Sequence, residues 1–319
     1  MASMRFGISV LLAAAVSCAP ANDTPHQFIS IGSAPPGGAF FIVGGALAEV
    51  LDQYGPWSVT SEATKGSLES IRRLESGELE IALANSSITY FAVRGEAGWE
   101  RAYPMRSLVT MAPNVLIFVT PRDSGIETIP DLAGKRIVAG PAGAGWEFFI
   151  RPMLAAHGLS YDDFRPLNNT QAGAVDMLAD GSADVAFLGG AVPTASIVQA
   201  TTSQDILLVP FDEEAKAELI EAYPFYFHVP IPAGTYRGQD EEFPGLNFGS
   251  MHVIVHEDMD DELAYQITRT IYENRERVTE KHPAGAFINA ENATSDNGTP
   301  FHPGAIRYYR EIGLWPSEE

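Results

Sequence analysis

Short runs of strand type alternate with segments of helical period along almost the whole 319-residue chain, and that alternation sets the fold class. "FISIG" leads into a predicted helix over Ala39–Tyr54. "WSVTSEAT" precedes "GSLESIRRLESGEL", where Leu68, Ile71, Leu74 and Leu79 recur at helical spacing and Gly77 marks a stop. "EIALAN" is the next strand. "SLVTMAPNVLIFVTP" is a long apolar run with Pro113 inside it, so it reads as two strands or one interrupted strand. A second series follows. "TIPDLAGKRIVAG" reads as a short helix, a turn and a strand. "AGWEFFIRPMLAAHG" is a helix in which Pro152 marks a kink or a late start. "GAVDMLADGSADVAFLGG" is helix, glycine stop, strand. "DILLVPFD" is a strand and "EEAKAELIEAY" a helix. "FGSMHVIVHEDM" is a long strand in alternation. "DDELAYQITRTIYENRERVTEKH" is the longest predicted helix, acidic at its start and ending in Lys281 and His282, as the helix dipole favours. The pattern predicts an α/β fold with largely parallel sheets.

The strands fall into two βαβ units, one over about 28–112 and one over about 125–212. "VLIFVTP" and "FGSMHVIVH" would then cross between two lobes. A chain that crosses twice makes a hinge, and the cleft between lobes is the expected place for a small ligand.

The balance of charge excludes one class of partner. Lysine and arginine number 20 against 41 aspartates and glutamates, a net charge of −21. Such a chain is repelled by phosphate backbones, so no nucleic-acid partner is expected. The first residues read as a targeting segment. "MASMR" supplies one positive charge, "FGISVLLAAAV" is an apolar core too short to span a bilayer, and Ala19-Pro20-Ala21 fits a cleavage site before Asn22. Residues 1–21 are therefore expected to be removed as a signal peptide, leaving a periplasmic chain. Cys18, the one cysteine, lies inside this segment, so the mature chain has no disulfide or thiol chemistry. "AVSC" also resembles, poorly, a lipoprotein box, and cleavage before Cys18 would leave a lipid anchor.

Three loops share one design of strand, glycines and helix. They are residues 32–39, residues 63–67 and "GPAGAGWE" at 140–147. Helix-start amides attract anions, and glycine lets a ligand come close to the backbone. One such loop is commonly only a turn. Three at equivalent places point to a site for a carboxylate or other small anion. Lys65 is the only cation in these loops, suited to a ligand carboxylate or simply to solvent. Phe40, Phe41 and Trp146 are candidate pocket walls, although each suits core burial as well.

These blocks carry a resemblance over nearly the whole mature chain. "IGSAPPGGAFFIVGGALAEVL", "ATKGSLESIRRLESGELEIALAN", "DLAGKRIVAGPAGAG", "YPFYFHVPIPAGTY" and "PFHPGAIRYYREIGL" resemble the TAXI-type solute-binding proteins of tripartite ATP-independent periplasmic (TRAP) transporters. The resemblance implies a monomeric, cofactor-free, two-lobed periplasmic-binding-protein (type II-like) fold. Residues 22–115 and 248–319 would form one lobe and 116–247 the other. Such a receptor closes on a small organic acid or amino acid, glutamate and related acids among them, and delivers this carboxylate to TRAP membrane subunits. The family's binding positions fall on Gly32, Ser33, Gly37, Gly38 and Phe40; on Thr64, Gly66 and Ser67, beside Lys65; on Asn85 and Ser87; and on Gly143, Gly145 and Trp146. The chain departs from the family at Pro35 and Pro36, where Ser and Thr are usual, and at Phe40-Phe41, where Tyr-Tyr is usual. It also departs at Ser87, commonly Asp, and at Trp146, commonly Thr. The losses remove polar partners for an amino acid, including a carboxylate for its α-amino group. A carboxylate ligand without that group, and with more apolar surface, is expected instead of glutamate.

Other chemistries fit less well. "GPAGAG" and "GSAPPGG" lack the dinucleotide-binding spacing, and no G-x-S-x-G occurs. His252 and His256, placed on a strand with Ser250, would lie ~13 Å apart at ~3.3 Å per residue, too far for one zinc. That face is expected to be polar surface. "DMDDE" lacks the glycine and glutamate of a calcium loop. His302 is expected to be structural: Pro303 and Gly304 set a turn, and Tyr308 and Tyr309 begin a packed or partner-facing surface. No enzyme activity is expected; the alternatives are a sensor that presents its ligand to a signalling partner and, behind it, an exported enzyme using the same cleft.

Overall fold

The computed structural model describes residues 27–36 and 38–316. The signal segment, Cys18 and Gly37 lie outside the described residues. The first sheet is built from β1 (Gln27–Gly32), β2 (Trp57–Glu62), β3 (Ile81–Asn85) and β4 (Met105–Thr110), with helices α1 (Ala39–Tyr54), α2 (Ser67–Glu75) and α3 (Ser86–Arg94) between them. α1 sets Val43, Leu47, Val50 and Leu51 on one buried stripe, the i, i+4, i+7, i+8 spacing of a helix laid on a sheet. β3 is buried at every position, as a central strand should be. α3 was not foreseen. Its sequence, "SSITYFAVR", is rich in β-formers, but the Asn85 side chain accepts from the Ser87 amide and caps a helix there.

The chain then crosses to a second sheet made of β5 (Val115–Pro121), β6 (Arg136–Val138), β7 (Arg165–Leu167), β8 (Val185–Gly190) and β9 (Ile206–Val209). Helices α4 (Glu147–Ala156), α5 (Gln171–Ala179), α6 (Ala195–Ser203) and α7 (Glu213–Ala222) accompany it. Pro152 lies inside α4, at neither end. A two-stranded antiparallel piece, β10 (His228–Ile231) with β11 (Phe243–Leu246), precedes the return through β12 (Met251–His256). The orders are β2-β1-β3-β12-β4 and β7-β6-β8-β5-β9. The sheets are mixed rather than largely parallel, because each takes one crossing strand antiparallel to both its neighbours: β12 against β3 and β4, and β5 against β8 and β9.

The two crossings are bonded to each other. Met111 donates to the Met251 carbonyl (2.8 Å), Met251 to that of Ala112 (2.9 Å) and Phe248 to that of Asn114 (2.9 Å). These bonds hold the two crossings side by side between the sheets.

The last segment differs from the single long helix expected. It breaks at Asn274 into α8 (Asp261–Glu273) and α9 (Arg275–Lys281), and Asp260 caps the first. α10 (Pro303–Glu311) then packs on α8, capped by His302, whose Nδ1 accepts from the Gly304 amide. Pro303 therefore opens a helix. Tyr308 and Tyr309 are buried core, with the Tyr309 hydroxyl donating to the Leu108 carbonyl. The β12 face holding His252 is not surface. His252 is fully buried between the Thr89 hydroxyl (2.9 Å) and Asn297 (3.1 Å), and burial drives its pKa down to about 3.

One apolar cluster lies against the first sheet, around Leu47, Val253 and Tyr309. Another lies against the second, around Ile117, Leu188 and Ile197. A third runs continuously from Leu74, Ile88 and Phe91 to Phe149, Phe187 and Phe248, and so joins the two halves.

Candidate functional site

A cavity of about 350 Å³ opens between the two sheets. On the first-sheet side it is walled by Ser33, Ala34, Pro35, Pro36, Gly38 and Phe40, then by Lys65, Gly66 and Ser67. Ser33 is buried, and its hydroxyl donates to the Glu62 carbonyl at 2.8 Å, which fixes the turn out of β1. Prolines 35 and 36 add no backbone donors and little freedom. Residues 33–36 thus make a stiff wall of the cavity.

Helix starts converge on this space. α1 begins at Gly38 and α2 at Gly66, and neither has a side-chain cap. α6 begins at Thr194, again with no side-chain cap, and α5 begins at Thr170 and Gln171. All four starts line the cavity. First-turn amides have no partner within a helix, and the dipole adds partial positive charge there. The first turns of α1, α5 and α6 carry no acidic residue.

The second-sheet wall was largely missed by the sequence reading. It comprises Thr170, Gln171, Gly189, Gly190, Thr194 and Ser196, with Gln199 near its edge. Gln171 organises it: its amide donates to the Gly189 carbonyl (2.8 Å), and its oxygen accepts from the Gly189 amide (2.9 Å) and the Ser196 hydroxyl (2.7 Å). Nothing in "NTQAGAV" distinguishes this glutamine from an ordinary helix start. "FLGGAVPTAS", a glycine pair followed by a helix, carried the same signal as the other three loops. Asn114 and Asn85 lie toward the hinge, and His282 adds a ring at one side.

The residues expected at the site divide into three groups. Ser33, Gly38, Phe40, Lys65, Gly66, Ser67, Asn85 and Trp146 line the cavity. Gly32, Thr64 and Ser87 do not; Gly32 packs among Leu79, Ser70 and Thr64, and the two hydroxyls are committed inside the fold. Thr64 donates to the Ser33 carbonyl (2.9 Å), and Ser87 donates to the Asn85 side-chain oxygen (2.6 Å). Asn85 borders the space, but its own amide is spent on Ser87 and on the carbonyls of Phe248 and Gly249. Gly143 and Gly145 also stand off the cavity. A Cβ on Gly145 would lie 3.2 Å from Ile88 and 3.3 Å from Leu68, and one on Gly66 would lie 3.2 Å from Ala144. These glycines let the two halves approach each other. Gly37 lies outside the described residues.

The electrostatics are one-sided. Among the described lining residues there is no aspartate or glutamate, in a chain with 41 of them. Lys65 is exposed to the cavity and makes no ion pair among the described residues. The remaining walls are apolar: Ile88, Phe149, Trp146 and Phe40 with prolines and alanines. Among the described residues no group of three His, Cys, Asp or Glu is placed to hold a metal ion.

The profile of the NMT1-like family matches residues 31–313. The chain belongs to this family. The matched span takes in every cavity wall and both sheets except the first residues of β1. Among solved structures, a Bordetella bronchiseptica RB50 protein is similar at 14% identity and TM-score 0.54, over 92% of this chain and 90% of that one. A Listeria monocytogenes chain described as a candidate L-cystine ABC transporter is similar at 12% identity and TM-score 0.50, over 85% and 99%. A chain from work on glutathione import via the cystine ABC importer of Streptococcus mutans matches at 12% and 0.50, over 86% and 100%. At such identities the likeness speaks for the fold, which is the two-lobed, type II-like arrangement of periplasmic binding proteins. Among the described residues of this NMT1-like chain, no helix is long and apolar enough to cross a membrane.

Proposed function

We propose that this NMT1-like protein is an exported, non-enzymatic solute receptor that captures a small organic acid and delivers it to a membrane transporter. The observation that carries the reading is the acid-free cavity onto which four helix starts converge in a strongly acidic chain. A carboxylate set among these amides, with Lys65 near, gains what water would otherwise supply. An α-amino group would find no carboxylate partner there, and burying it unpaired is costly. The apolar walls favour a ligand with aliphatic or aromatic surface.

The lobes would be 22–115 with 248–319, and 116–247, turning about the paired crossings at 111–114 and 247–251. Ligand bridging both walls favours the closed form, which the transporter would recognise. The TAXI blocks support a TRAP-type partner, whereas two of the similar structures come from work on ABC transporters. A thermal-shift panel tests the receptor reading. Carboxylates without an amino group should stabilise the protein, and failure of every acid to do so would remove it. Uptake by cells carrying the receptor with TRAP membrane subunits, but not with an ABC importer, tests the partner.

A further inference from the structure

Asn114 is nine-tenths buried, lines the cavity, and has a side-chain amide with no hydrogen-bond partner among the described residues. The other buried polar side chains of the lining are engaged: Ser33, Ser67, Asn85, Thr194 and Ser196 each make a bond within the protein. The Asn114 backbone is held on both sides. Its amide donates to the Asn247 side-chain oxygen (2.7 Å), and its carbonyl accepts from Phe248 (2.9 Å). Asn247 is itself anchored to the Phe225 carbonyl at 2.7 Å. The side chain is therefore presented from the hinge itself, at a point fixed by both crossings.

A buried amide needs one acceptor and one donor opposite it. Where solvent fills the cavity, water can serve as both. When a ligand displaces that water, the ligand has to replace them or lose affinity. A keto or second carboxylate oxygen satisfies only the N–H. An ammonium satisfies only the oxygen, and brings a charge that no lining acid balances. A hydroxyl accepts from Nδ2 and donates to Oδ1. We infer that Asn114 reads a hydroxyl on the bound acid, so that the ligand class is hydroxy acids. This rests on the cavity being a receptor site for an organic acid.

Calorimetry with a matched series tests it: 3-phenyllactate, phenylpyruvate, 3-phenylpropionate and phenylalanine, and the corresponding branched aliphatic set. The purified protein should bind a hydroxy acid at least about tenfold more tightly than the unsubstituted acid. Asn114→Leu, close in size and without polar atoms, should bring the two within about twofold. Equal affinities in the wild type, or a hydroxyl preference that survives Asn114→Leu, would overturn the inference. Binding of the unsubstituted acids alone would overturn it while leaving the receptor reading intact. Binding of none of the series, or of the amino acids alone, would overturn the organic-acid reading and this inference with it. Should Asn114→Leu not fold, the wild-type preference still decides. The Asn114 side-chain amide resonance, assigned with Asn114→Gln, should then move on adding the hydroxy acid and not on adding the unsubstituted one.

Discussion

Asn85 borders the cavity, yet its hydrogen bonds all run into the protein, so removing it should cost stability before it costs affinity. Its oxygen accepts from the Ser87 amide (2.9 Å) and hydroxyl (2.6 Å), and its nitrogen donates to the carbonyls of Phe248 (3.2 Å) and Gly249 (2.9 Å). It caps α3 and ties β3 to the returning crossing. Gly249, at φ +97°, leaves room for it, since a Cβ there would collide with the Asn85 oxygen. Asn85→Ala leaves four buried groups unpaired and takes away a helix cap. At ~1 kcal/mol for each group, with partial rescue by water in the space left, the loss should be about 3 kcal/mol. In a chain of this size that is roughly 5 °C in Tm. Asn85→Asp keeps the acceptor for Ser87 but sets a carboxylate against two carbonyls, and should lose at least as much. Differential scanning calorimetry without ligand is the assay. A change under ~1 kcal/mol, with a large loss of ligand affinity, would refute the reasoning and make Asn85 a ligand contact.

Ala195 opens α6 at the cavity. Ala195→Asp should raise stability by about 0.5 kcal/mol through the helix dipole while weakening acid binding at least tenfold, opposite signs that melting and calorimetry can separate. His252 is neutral and buried in the folded protein, with its pKa depressed from 6.5 to about 3. The unfolded chain takes the proton first, so its contribution is complete above pH 6.5 and is lost as pH falls toward 3. By pH 5 the loss should be about 2 kcal/mol, and His252→Gln should flatten the denaturant-midpoint profile between pH 6.5 and 5. Gly145→Val adds bulk where Ile88 and Leu68 of the first half approach. It should weaken ligand binding and enlarge the radius seen by small-angle scattering with saturating ligand.

The sequence was most legible where local chemistry and tertiary need agree. The apolar stripe from Val43 to Leu51 located α1, and Pro113 separated β4 from β5. α3 was hidden because Ile88, Thr89, Tyr90, Phe91 and Val93 suit a strand locally, and only the Asn85 cap and burial against the second half make them helical. The break at Asn274 was hidden because "YENRER" keeps its helical propensity through it. At the site, glycine-rich turns pointed to the right region but not to each glycine's task. Gly38 borders the cavity, whereas Gly145 faces the other lobe, and spacing alone cannot tell these apart. Asn114 did leave a trace: it is a polar residue, beside a proline, inside an otherwise apolar run of two strands. Gln171 left none, since its partners Gly189 and Ser196 are distant in sequence.

The most direct test is calorimetric titration of the purified protein with glutamate beside acids of similar size that lack the amino group. Binding of such an acid, with glutamate silent, is the expected result. At ~100 times its Kd that acid should add about 2.7 kcal/mol of stability. Tight glutamate binding with no response to the others would contradict the account, because the cavity lining has no carboxylate to balance the ammonium charge.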